Sequence, residues 1–180
     1  MQNILITEGN FDVTVMQRVL PASISTTTKV VNGGGSTSAL SAARSRYVDG
    51  NYKIVLLIDA DSSDPSTINE KQHLYENMIY SLGTPSSEAK VVLLTPEIEA
   101  LFFESKEFIE KTFGRSLSDL EFEFLKKNPK AAIERLAQGT QELPKQYLPL
   151  GNFLLEQLDD VTIERIRQSK QIQEIIEYFN

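Results

Sequence analysis

The chain has 180 residues, with 18 Lys and Arg against 25 Asp and Glu, so its net charge is −7 and it has no sequence-wide basic field to hold nucleic acid. It has no cysteine and a single histidine, which excludes disulfide scaffolds, cysteine-bound zinc, iron–sulfur clusters, thiol nucleophiles and multi-histidine metal sites. Any phosphate partner has to be held locally, through oxygen ligands. The first ten residues, MQNILITEGN, carry no basic n-region and reach Glu8 after a short apolar run. The expectation is therefore no signal peptide, no membrane span and a soluble, cytoplasmic protein.

Four short apolar runs rich in β-branched residues read as strands, at 4–7 (ILIT), 29–32 (KVVN), 53–58 (KIVLLI) and 90–95 (KVVLLT). The third and fourth are almost continuously apolar, which predicts coverage on both faces and central places in the sheet. Between the first two, Asn10 caps a helix with Val15, Met16, Val19 and Leu20 at helical spacing before Pro21. A second helix is predicted over 37–48, ending at Asp49-Gly50-Asn51. A third opens at Ser63-Asp64-Pro65, with Asp64 as N-cap and Leu74, Met78 and Leu82 as its apolar positions before Gly83. Strands alternating with helices predict an α/β fold: a Rossmann-like, open, mainly parallel four-stranded sheet flanked by helices over residues 1–104.

Beyond residue 104 the texture becomes helical. Phe108, Ile109 and Phe113, then Leu117, Leu120, Phe124 and Leu125, recur at helical spacing, with breaks expected at Asn128-Pro129 and across 139–149. Residues 152–179 predict two more helices, so 105–180 reads as a helical C-terminal extension packed on the sheet or forming a small lobe. Phe102, Phe103, Phe108 and Phe113 are the expected core between the two parts, and His73 is expected to be structural or at the surface.

In an open parallel sheet, sites lie beyond the carboxyl ends of the strands. Here those ends run into Glu8-Gly9-Asn10-Phe11-Asp12, Gly33-Gly34-Gly35-Ser36, Asp59-Ala60-Asp61-Ser62-Ser63-Asp64 and Pro96-Glu97-Ile98-Glu99. Three of the four ends carry carboxylates. Such crowding calls for a hard cation, and carboxylate with water selects Mg²⁺, Mn²⁺ or Ca²⁺ over zinc or copper. If strand geometry persists through Asp59-Ala60-Asp61, both carboxylates point the same way and meet one metal. Thr95-Pro96-Glu97 predicts a helix start with at most one of Glu97 and Glu99 facing that metal. Asp12 and Glu97 also suit a helix first turn whatever the function, and Asp64 and Glu97 are reserve ligands. Gly33 and Gly34 offer a backbone nest for phosphate or a plain turn. Arg44 and Arg46, with Lys106, Lys111 and Arg115, are either backbone-phosphate contacts or scattered surface charge.

The constellation resembles the Toprim domain of topoisomerases, bacterial primases, recombination-repair proteins and overcoming-lysogenisation-defect-type nucleases. It is carried by Ile4-Leu5-Ile6-Thr7-Glu8-Gly9-x-x-Asp12 and Val55-Leu56-Leu57-Ile58-Asp59-Ala60-Asp61, over about residues 1–104. Pro96-Glu97-Ile98-Glu99-Ala100-Leu101-Phe102-Phe103 is similar to the acidic segment after the fourth strand in small stand-alone and nuclease-type members. The resemblance implies Glu8 as acid/base or metal ligand, Asp59 and Asp61 as holders of Mg²⁺ or Mn²⁺, and Asp12 and Glu99 as completing the site. It implies a metal-dependent phosphodiesterase or phosphoryl-transfer enzyme, a nuclease acting on DNA or RNA, with a protein partner or homodimer as further possibilities. The alternatives are a catalytically silent Toprim module within a larger complex, a receiver-like domain phosphorylated on Asp59, and a haloacid-dehalogenase-type phosphatase with Asp59 as nucleophile. The receiver reading lacks an acidic pair after strand one, and the phosphatase reading has its Asp-x-Asp on the wrong strand.

Overall fold

The computed structural model describes residues 1–83, 86–140, 143–144 and 146–180, with backbone alone at 147–149. Strands β1 (Gln2–Thr7), β2 (Thr28–Asn32), β3 (Tyr52–Asp59) and β4 (Glu88–Leu94) form one all-parallel sheet in the order β2-β1-β3-β4. The crossovers are helical: α1 (Asn10–Val19) and the short α2 (Ala22–Ser25) lead to β2, α3 (Ser36–Asp49) to β3, and α4 (Pro65–Tyr80) to β4. The fold is α/β and Rossmann-like, as the alternation of runs predicts.

The period-two rule divides the sheet between two cores. Leu5, Val55, Leu57, Val92 and Leu94 point to the α1 face, whereas Ile4, Ile6, Ile54, Leu56, Ile58, Val91 and Leu93 point to the face covered by α3 and α4. Both faces of β4 are therefore covered, yet β4 lies at the sheet edge and β1 sits beside β3 in the centre. A continuous apolar run reports coverage above and below a strand, not a neighbour on each side. At its open side β4 is closed by α4: Tyr80 Oη donates to Ala89 O (2.8 Å) and Gln72 Nε2 to Val91 O (2.8 Å).

Helix α4 rotates away from the predicted stripe. Leu74, Met78 and Leu82 are exposed, while Ile68, Lys71, Gln72, Tyr75, Glu76 and the fully buried Ile79 turn inward. The inward set has the i, i+3, i+4, i+7 spacing of a helix face, but half of it is polar, and so a search for apolar residues misses it.

The β2–α3 turn depends on one glycine. Gly33 N–H donates to Thr7 O (2.8 Å), and a Cβ on Gly33 would lie 2.4 Å from Ala39 Cβ and 2.9 Å from Thr7 O. Gly33→Ala is expected to cost about 3 kcal/mol as the turn is forced off the sheet, and a lowered midpoint in urea denaturation checks it.

After β4 comes a 3-10 segment (Ile98–Glu104), then α5 (Lys106–Phe113), α6 (Asp119–Leu125), α7 (Pro129–Gln138), α8 (Tyr147–Gln157), α9 (Asp160–Arg167) and α10 (Lys170–Phe179). Residues 152–179 thus hold parts of three helices, not two. The extra break has a local cause, since Asp159 caps α9 by accepting the Thr162 N–H (2.9 Å) while Leu158 is extended. Helix α6 ends at Leu125, three residues before the predicted break, and Asn128-Pro129 begins α7, with Pro129 in the first turn, where its missing N–H costs nothing. The predicted break over 139–149 is shortened by α8, and its residues 141, 142 and 145 lie outside the described residues.

One hydrophobic core runs from Leu5 on the sheet through Phe102, Phe103, Phe108 and Phe113 to Phe179. Phe102, fully buried, sits between Phe11 of α1 and Phe108 of α5, with ring centroids 6.3 and 6.1 Å away. Helix α8 comes so near to α1 that a Cβ on Gly151 would lie 2.7 Å from the Phe11 ring. No helix among the described residues is long and apolar enough to cross a membrane.

Candidate active site

Neighbouring strands β1 and β3 send their connections in opposite directions, β1 through α1 to β2 and β3 through α4 to β4. The crevice at their carboxyl ends is a topological switch point, where helix starts and unpaired backbone groups converge. Glu8 leaves β1 and Asp59 closes β3 there. The Asp59 N–H donates to Glu8 Oε1 (3.1 Å), and Asp59 Oδ1 accepts the Ile98 N–H (2.9 Å). Asp59 keeps the parity of Val55 and Leu57, and so points to the face that carries α1 and the 3-10 segment.

Two more acids arrive on that face. Asp12 lies in the first turn of α1, where Oδ2 accepts the Gly9 N–H (2.9 Å), and Glu99 in the 3-10 segment is only 4% exposed. Burial pushes the Asp59 carboxyl up to about 8, and the charges of Asp12, Glu99 and Glu8 push the same way. Burial lifts Glu99 to about 7, with Glu97 and Asp12 adding and Lys130 opposing. Glu8 and Asp12 are raised as well, again chiefly by burial. The structure brings Glu8, Asp12, Asp59 and Glu99 into one electrostatic group.

No family model, curated protein or solved structure matches this chain.

The remaining expected residues are placed elsewhere. Strand geometry does not persist past Asp59. Asp61 has φ +55°, donates its N–H to Pro96 O (2.8 Å) and turns a 76% exposed carboxylate onto Lys71 Nζ (2.8 Å). Asp64 is a helix cap, accepting from Thr67 N (2.8 Å) and Thr67 Oγ1 (2.9 Å), bonds that hold its carboxyl below the usual range. Glu97 precedes the 3-10 helix in extended conformation instead of standing in its first turn, and accepts the Lys130 N–H at the start of α7 (2.8 Å). Of the pair 97 and 99, Glu99 is the one on the acidic group.

The glycine run offers no open nest. Its three N–H groups go to Thr7 O (2.8 Å), Asn32 Oδ1 (2.8 Å) and Glu8 O (2.7 Å). Arg46 is ten residues along α3, about 15 Å from its start at 1.5 Å per residue. Its carbonyl accepts from Ser87 at the opposite end of the sheet, out of reach of the acids. Arg44, two residues earlier on α3, keeps a buried Nε without a hydrogen-bond partner among the described residues. Lys106, Lys111 and Arg115 are paired with Asp119, Asp159 and Glu121, and His73 lies at the surface beside Glu76.

Sequence reasoning missed two lysines whose charges act on these acids, Lys71 on Glu8 and Lys130 on Asp12 and Glu99. Lys71 sits on the polar part of the inward face of α4, and Lys130 follows a proline that reads as a breaker. The signal for Lys71 is its spacing, three residues after Ile68 and eight before Ile79.

Among the described residues, no three acids or histidines converge tightly enough to cage a metal by themselves. The donor set fits a cation that keeps most of its water, because Asp59 spends one oxygen on the Ile98 N–H and retains the other, with the Glu99 carboxyl acting on it from the same face. Mg²⁺ has this habit, binding through one or two carboxylates plus substrate phosphate.

Proposed function

We propose that the chain is a Mg²⁺- or Mn²⁺-dependent phosphodiesterase of Toprim type that cleaves DNA or RNA. The observation that carries the reading is the Glu8–Asp59 pair, joined by the Asp59 N–H at the crevice between β1 and β3. Asp59 and Glu99 would hold the cation, which supplies charge neutralisation and Lewis acidity at the phosphate. Burial favours the neutral form of Glu8, and the Asp59 N–H fixes its Oε1, so Glu8 is placed to exchange a proton with the attacking water or the leaving oxygen. Asp12 closes the α1 side through the Gly9 N–H and adds negative charge. A chain of net charge −7 draws a phosphate to this edge only through a cation.

The test is cleavage of supercoiled plasmid and of single-stranded RNA with Mg²⁺ or Mn²⁺. Wild type is expected to cut at least one of them, and Glu8→Gln to cut at least about 100-fold more slowly with its circular dichroism unchanged. Equal rates for the two proteins would remove Glu8 from the mechanism. Metal binding without cleavage of either substrate would favour a catalytically silent module.

A further inference from the structure

Lys71 lies about two turns into α4, and its side chain is 19% exposed. Its ammonium donates to Asp59 O (2.6 Å), Ala60 O (3.3 Å) and Asp61 Oδ2 (2.8 Å). An ammonium has three donors and no acceptor, so all three find oxygens within one short turn. Two carbonyls and a carboxylate are also the donors a hard cation takes. The turn is fixed independently of the lysine, since the Ala60 and Asp61 N–H groups donate to Leu94 O (2.7 Å) and Pro96 O (2.8 Å). The left-handed φ of Asp61 sends its carboxylate to Lys71 and not to Asp59, whose acidic neighbours are Asp12, Glu99 and Glu8, while on Glu8 the charges of Asp61 and Lys71 act in opposite senses. The turn after β3 is therefore a cation position whose donors are distinct from the Asp59 carboxylate, and a covalently tethered charge fills it.

We propose that Lys71 is the resident cation of the second position, so that this edge takes one divalent ion, on the Glu8–Asp59 side, and Asp61 is not a metal ligand. The inference rests on the reading given under Proposed function, and it sets the metal count of that site. A chelator strips the divalent ion but leaves the turn neutralised. Removing the lysine charge, in contrast, opens a second position made of Asp59 O, Ala60 O and Asp61 Oδ2.

Calorimetric titration of the full chain with MnCl₂ tests this. Wild type is expected to bind one ion per chain. Lys71→Met keeps the aliphatic stem but not the charge, and is expected to bind two. Asp61→Asn alters an exposed side chain, and is expected to bind one ion with an affinity within threefold of wild type. Two ions on wild type, one ion on a folded Lys71→Met, or a tenfold loss of affinity in Asp61→Asn each overturns the role of Lys71 and leaves the Glu8–Asp59 site standing. Should Lys71→Met not fold, Asp61→Asn decides alone. No ion on wild type overturns this inference together with the function it rests on.

Discussion

Asp59→Asn is expected to stabilise the metal-free protein strongly at pH 8.5 and much less at pH 5. The carboxyl of Asp59 stands near 8 in the folded chain against an ordinary value of 3.8, because it is buried and because Asp12, Glu99 and Glu8 surround it. The folded state thus keeps a proton that the unfolded chain gives up above about pH 4. A raised acid contributes its full stability below the unfolded value and loses it as pH climbs through the folded one, so the loss falls between about pH 4 and 8. Glu99, at about 7, loses stability in the same direction over the same window. The carboxyls held low by hydrogen bonds, Asp64 and Asp159 among them, act only in more acid solution. Each pKa unit is worth 1.36 kcal/mol. Allowing for partial solvation, asparagine at position 59 is expected to recover about 3 kcal/mol at pH 8.5. Urea denaturation in chelator at pH 5 and 8.5 reads this directly. Wild type is expected to be weaker at the higher pH, the variant to lose much of that difference, and Mg²⁺ to rescue wild type alone. A wild type that gains stability with pH over this range would mean that the four acids do not share their charge as described.

Phe102→Ala is expected to cost about 4 kcal/mol, near the middle of the range for removing a buried aromatic ring. Its larger consequence is for cooperativity. The ring lies between Phe11 of α1 and Phe108 of α5, at the seam between the sheet and the helices beyond residue 104. If both parts depend on one core, the variant still unfolds in a single transition at lower urea, and hydrogen exchange shows protection falling together in 1–104 and 105–180. Two separated transitions, with the sheet outlasting the helices, would instead mark the seam as an interface between independently stable units.

The strands were legible because β-branched runs such as KIVLLI have few other uses, and β1 to β4 lie within two residues of where those runs place them. Their order was not, since β3 and β4 look alike along the chain and differ only in what lies beside them. Glu8 and Asp59 could be found because the carboxyl-end rule applies to a strand as soon as its limits are known. Asp61 was misplaced by assuming that the pleat continues two residues too far. Helix α4 was misread for a different reason. Its inward face spends Gln72 on the edge of β4 and Lys71 on the turn after β3, so its most apolar line, Leu74, Met78 and Leu82, was left to solvent. Polar residues with tertiary duties look like surface residues until the partner is seen.

The closure of β4 by Gln72 and Tyr80 also bears on how copies of this protein can meet. A bare edge strand is a template for pairing with another chain, and proteins commonly block it with charge, proline, bulges or a covering element. Here the outward carbonyls of Ala89 and Val91 are already engaged by the helix that precedes the strand, so an incoming strand would have to break both bonds before forming its own. The opposite edge, β2, spans five residues and exposes Lys29. Edge-to-edge strand pairing is therefore resisted at both ends of the sheet, and association between folded copies is left to helical surfaces, where the exposed residues of α4 and α6 lie.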